Sequence, residues 1–136
     1  AAGYSLTVGE LTDAAVIGAQ SEDAPAMYRA YAKGTLDPHD RMDTFAEGIA
    51  TRVPFELTTE ILRDHLDEFQ LVSDEAIKRG VRELYDSERI VMEGACAASL
   101  AAMEQSADRI RDSTVVFPIS GRNIDAEKFE TLIEAE

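Results

Sequence analysis

The sequence predicts an α/β fold in which a parallel, or mostly parallel, sheet is flanked by helices, and three observations carry that expectation. Three short apolar, β-prone stretches alternate with helical patterns along the chain. The first of them is apolar at successive positions, the pattern of a strand buried on both faces. None is joined to the next by the tight turn of a hairpin.

Ala1 to Val8 is compatible with the tail of a helix. The run Ala14-Ala15-Val16-Ile17-Gly18-Ala19 lies between polar residues and is read as the first strand. Asp23 can cap a helix that begins at Ala24, takes Pro25 in its first turn, where the missing N–H leaves no bond unmade, and stops at Gly34. Residues 35–43 form a polar loop around Pro38, and residues 44–54 a mixed segment that holds Gly48. A second helix starts at Glu56 or Thr58 and reaches Leu66, with Leu57, Ile61, Leu62 and Leu66 at helical spacing. Glu68 to Val72 is the second strand. Ser73 then caps a helix whose face is Ala76, Ile77, Gly80, Val81, Leu84 and Tyr85, with Ala76 standing where a reciprocal Glu would complete a capping box. The small-residue run from Gly94 to Met103 reads as a helix packed very closely against a neighbour, and Thr114 to Ile119 as the third strand.

The 136 residues carry 27 Asp plus Glu against 13 Lys plus Arg, a formal charge of −14. Nucleic acid is excluded as a partner, because no cluster of Lys and Arg offers the cationic stripe that displaces counterions, and anionic membranes are disfavoured for the same reason. No apolar run is long enough to span a bilayer, and the first residues lack the basic region of a secretory signal, so the expected location is the cytoplasm. Ten of the cations are Arg and only three, Lys33, Lys78 and Lys128, are Lys. An acidic, Lys-poor surface stays hydrated in concentrated salt, where screening removes self-repulsion. A salt-loving source accounts for the charge; an ordinary acidic protein is the competing reading.

Most chemistry-bearing residue types read as structural. His39 and His65 stand among charges as solvated side chains, and no His pair has metal-ligand spacing. Cys96 reads as a small buried hydrophobe, and the aromatics Tyr28, Tyr31, Phe45, Phe55, Phe69 and Tyr85 as core or interface. Ser120-Gly121-Arg122-Asn123 is different, because it follows an apolar stretch directly, and ligands of open α/β sheets gather at the carboxyl ends of strands. There a Ser hydroxyl can face a ring nitrogen, and a Gly lets a flat group approach the backbone.

Five segments, in order, resemble the threonine dehydratase (threonine ammonia-lyase) branch of the pyridoxal-phosphate enzymes that share the tryptophan synthase β fold. They are Val16-Ile17-Gly18-Ala19-Gln20 with Ala24-Pro25-Ala26-Met27-Tyr28; Thr44-Phe45-Ala46-Glu47-Gly48-Ile49-Ala50; Asp67 to Ser73 with Asp74-Glu75; Glu93-Gly94-Ala95-Cys96-Ala97; and Ser120-Gly121-Arg122-Asn123-Ile124-Asp125. The resemblance implies that pyridoxal 5'-phosphate binds with its pyridine nitrogen at Ser120, its ring close to Gly121, its edge against the backbone at Gly48, and Glu93 near the ring and substrate. It implies loss of water from a hydroxy amino acid, threonine or serine, then spontaneous hydrolysis to 2-oxobutanoate and ammonia in the threonine case, within amino-acid metabolism such as isoleucine biosynthesis. A homo-oligomer, dimer or tetramer, is common in the family.

Three departures qualify the match. Arg122 stands where the family usually has the second Gly of a Ser-Gly-Gly-Asn motif. Gln20 and Ala26 stand where cation-binding relatives have carboxylates, so no such metal site is expected. No Lys lies in the family's Schiff-base context, and the glycine-rich phosphate loop would end just before Ala1. Residues 1–136 are therefore expected to be the C-terminal portion of a pyridoxal-phosphate-dependent catalytic domain, without a regulatory domain. Its partner would be the N-terminal part of the same enzyme, and the chain alone would be inactive and prone to aggregate. The alternative is a non-catalytic binding or scaffold module of the same fold.

Overall fold

The computed structural model describes residues 1–134. Its centre is a pair of parallel strands, β1 (Ile17–Ser21) and β2 (Glu68–Val72), in the register Ile17 to Glu68 through Ser21 to Val72. Backbone bonds carry the pairing one step past each end, from Asp67 N–H to the Val16 carbonyl and from Glu22 N–H to the Val72 carbonyl. Parallel neighbours require a crossover, and here α2 (Ala26–Lys33), a 3₁₀ turn (Glu47–Ile49) and α3 (Glu56–His65) supply it. Ahead of β1, α1 (Ala2–Leu11) lies against α3.

Helix α4 (Asp74–Glu88) begins as its sequence dictates: the Ser73 hydroxyl accepts the Ala76 N–H at 3.3 Å, while Asp74 and Glu75 place negative charge at the positive helix end. It packs on α5 (Gly94–Gln105), which also touches both strands. The close packing read from the small-residue run is found there, since a Cβ on Gly80 would stand 3.4 Å from the Ala97 carbonyl oxygen. Cys96, Ala97, Ala98, Leu100, Ala101 and Ala102 are all buried, as they must be on a helix apolar around its whole circumference. Val72, Ile77, Val81 and Met92 fill the rest of this core, each contributing about 1.5–3 kcal/mol by its removal from water. The short α6 (Ala107–Ile110) and the C-terminal α7 (Ala126–Glu134) complete the described elements.

The α/β class and the parallel pairing are as expected, but two strand assignments change. The first strand starts at Ile17 rather than Ala14 and runs on to Ser21; Ala14 and Ala15 are exposed, before the register with β2 begins. Thr114 to Ile119 is not a strand among the described residues. Apolar β-prone composition makes a strand only where the segment hydrogen-bonds a partner edge, and this segment pairs with neither β1 nor β2. Phe117 and Ile119 instead pack on the α4–α5 core while Val116 is 86 % exposed. Helix α7 was not expected; Asp125 caps it by accepting the Lys128 N–H at 3.1 Å. Phe55 and Leu57, read as packing residues, are exposed.

Candidate cofactor site

Site residues from three separate stretches meet at the N-terminus of α5. Glu93 is the extended residue before that helix, and its carbonyl accepts the Cys96 N–H at 3.1 Å. Its own N–H donates to the Gly121 carbonyl at 3.2 Å, which pins the Ser120–Gly121 turn to the helix start. Cys96 lies beneath that turn: Gly121 N–H donates to its sulfur at 3.2 Å, and the Ser120 hydroxyl lies 3.8 Å from it. Ser120 is itself exposed, so its hydroxyl can still donate outward.

The Glu93 carboxyl group lies over both glycines. A Cβ on Gly121 would come within 2.8 Å of three of its atoms, and a Cβ on Gly48 would stand 3.2 Å from Oε1 and 2.8 Å from the Ala95 Cβ. All four residues read from the sequence, Gly48, Glu93, Ser120 and Gly121, are therefore brought together. A cleft of about 320 Å³ is lined by two of them, Gly48 and Glu93, together with Asn123 and Asp125, with Glu47 and Lys128 paired across it; Ser120 and Gly121 do not line it. The Glu47 carboxylate holds the Lys128 ammonium above the usual lysine range. Arg122 turns away, its Nε donating to the Val91 carbonyl at 3.2 Å.

The loop that carries Gly48 is anchored on two sides. The buried Gln20 accepts the Tyr28 N–H at 2.9 Å and donates to the Ile49 carbonyl at 3.4 Å. Asp74, directly after β2, takes hydrogen bonds from Thr44 and Phe45. Both anchors belong to the carboxyl ends of the strands, where α/β sheets bind ligands. A second cleft, of about 310 Å³ beside Gly9, His65 and Asp67, lies at the opposite, amino end.

A family model described as pyridoxal-phosphate dependent enzyme matches residues 1–121. The chain belongs to that family. Among curated relatives of this pyridoxal-phosphate-dependent chain, an L-threonine ammonia-lyase of Thermotoga maritima is 31% identical over 132 residues, covering 96% of this chain and 33% of its own length. A catabolic L-threonine dehydratase of Staphylococcus aureus is 34% identical over 122 residues, covering 88% and 35%. Among solved structures, a threonine deaminase from T.th. superposes with a TM-score of 0.78 at 29% identity over 91% of this chain and 46% of its own. A serine racemase from Dictyostelium discoideum does so with a TM-score of 0.81 at 27% identity over 91% and 40%. The chain thus spans about a third of the length of the curated relatives it matches.

Pyridoxal phosphate is the cofactor of this family. The residues fit part of it: Gly48 and Gly121 present backbone without Cβ atoms, and the Glu93 carboxyl group lies over both. Two contributors escaped the sequence. Cys96 is buried as expected but also hydrogen-bonds the Ser120–Gly121 turn, and Asp74 is more than a first-turn charge. For Asp74 a signal existed, because it directly follows the Ser cap and so lies at the end of a strand.

Proposed function

We propose that this chain is part of a lyase that uses pyridoxal phosphate to dehydrate and deaminate threonine to 2-oxobutanoate and ammonia, with the amine that anchors the cofactor lying outside these residues. The convergence of Ser120, Gly121, Gly48 and Glu93 at one helix start carries the reading, and the relatives at 31% and 34% identity support threonine. The bound cofactor supplies the electron sink that makes loss of a β-hydroxyl feasible. The exposed Ser120 hydroxyl would hold the pyridine nitrogen of the bound cofactor as a neutral hydrogen-bond donor. Gly121 and Gly48, which carry no Cβ, would let the ring approach backbone once the Glu93 carboxyl group swings aside. The Glu93 carboxyl group, held over both glycines and lining the cleft, would be placed to carry a proton to or from a substrate bound there.

The test is made on the full-length protein that carries this chain. Expected are a visible absorption band on addition of pyridoxal phosphate, ammonia and 2-oxobutanoate from threonine, and loss of most cofactor affinity in S120A. Full-length protein that stays colourless and releases no 2-oxo acid would sink the proposal and favour the non-catalytic module. A second reading, turnover of serine, is favoured by the serine racemase likeness. Racemised serine in place of 2-oxo acid would select it.

A further inference from the structure

We infer that Asp74 is the positioning residue of the cofactor loop, an inference that rests on the pyridoxal-phosphate reading of the Gly48 site. Its carboxylate collects donors from two chain segments. Oδ1 accepts the Ser21 hydroxyl at 2.8 Å and the Thr44 hydroxyl at 2.6 Å, and Oδ2 accepts the Phe45 N–H. Each hydroxyl in turn accepts a backbone N–H: Ser21 Oγ that of Asp23 at 3.1 Å, Thr44 Oγ1 that of Ala46 at 3.1 Å. One side chain at the start of α4 thus joins the end of β1 to the segment that precedes Gly48.

The connection reaches the site by packing. A Cβ on Gly94 would stand 2.8 Å from the Phe45 ring, so that ring lies close against the first residue of α5, next to Glu93. Gly48 follows Phe45 by one turn of chain and meets Glu93 and Ala95. Fixing the Phe45 amide therefore sets how far the Gly48 backbone stands from Glu93 and from the cleft that both residues line. Ser73, not Asp74, supplies the cap hydrogen bond of α4. The Asp74 carboxylate is spent on the loop.

The variant D74N keeps the size of the side chain but has one acceptor oxygen in place of two: with that oxygen on the Phe45 N–H, the Ser21 and Thr44 hydroxyls can only accept from the amide NH2, and their own protons lose the acceptor they now have. Loss of a hydrogen bond to a charged acceptor predicts that hydrogen exchange at the amides of residues 45–49 speeds up by about 10-fold or more, and that pyridoxal phosphate binds about 10-fold more weakly. D74E, which keeps the carboxylate, restores part of both. The control is S73A, which weakens the cap of the same helix and leaves the loop bonds intact. Full-length D74N with unchanged exchange at 45–49, or S73A reproducing its effects at an equal fall in Tm, overturns the assignment of Asp74 whatever the cofactor does. Wild-type protein that takes up no pyridoxal phosphate overturns the reading of the site instead, and leaves the exchange result standing.

Discussion

The Glu93 carboxyl group occupies the space that a side chain on Gly121 would fill: three of its atoms lie within 2.8 Å of where a Cβ would be. The two residues are also joined through backbone, Glu93 N–H to the Gly121 carbonyl. In G121A the methyl group has to displace the carboxyl group, and a half-exposed Glu side chain can swing aside. The expected result is a split: stability falls by less than about 1 kcal/mol, whereas threonine turnover in the full-length protein falls by about 10-fold or more. Denaturant unfolding and steady-state kinetics measure the two sides. An equal loss in both would mean that Glu93 has no special place.

Gly48 faces a less forgiving neighbour. Its Cβ would stand 2.8 Å from that of Ala95, which is fixed on α5 and has no rotamer with which to yield. G48A is expected to destabilise the protein by about 1–3 kcal/mol, the usual range for overpacking. A thermal unfolding series checks this, and G48A/A95G should recover much of the loss.

Gln20 does for α2 what Pro25, the residue at its cap, cannot do. With no side-chain acceptor at the cap, the Tyr28 N–H in the first turn is satisfied by the strand's buried amide. Q20L keeps the bulk and removes both bonds, to Tyr28 and to Ile49, at an expected cost of about 2–3 kcal/mol. In Q20E the Tyr28 bond survives, but a carboxylate cannot donate to the Ile49 carbonyl. Amide exchange should therefore rise at 49–51 more than at 28.

The pH dependence of stability has a component from Glu104 with a definite sign. Burial, reinforced by the neighbouring Glu83, raises its pKa above the usual 4.5. The folded protein then binds this proton more tightly than the unfolded chain does, so this component favours the folded state at low pH and is lost as pH rises from 4.5 through the raised value. Glu68 acts oppositely: hydrogen bonds from Gln70 and then Arg109 lower its pKa, and its contribution is lost on acidification below 4.5. The difference in Tm between about pH 5 and about pH 7 is expected to become more favourable to the higher pH in E104Q than in wild type. An unchanged difference would contradict the assignment.

A salt-loving origin for the charge of −14 has its own test. Simple self-repulsion is screened once the Debye length falls to about 8–10 Å, near 0.1–0.15 M salt. A surface adapted to concentrated salt should keep gaining Tm well beyond about 1 M potassium chloride, whereas an ordinary acidic protein levels off.

Much of the fold was written locally. The Ser73 cap, the stop at Gly34, the second strand and the small-residue helix α5 all depend on residues within a turn or two of one another, and local chemistry specified them. The order of motifs in the sequence also pointed to Ser120-Gly121, Gly48 and Glu93 as one group, and the fold brings these residues together. Tertiary structure alone decided the rest. Thr114 to Ile119 has the composition of a strand but pairs with neither β1 nor β2, and strand formation is a property of pairs. The carboxylate of Asp74 is indistinguishable in sequence from any first-turn acid until the crossover brings Thr44 and Phe45 back across the ends of β1 and β2. Contacts between residues thirty positions apart are set by how the helices pack on the strands, and no local pattern encodes that distance.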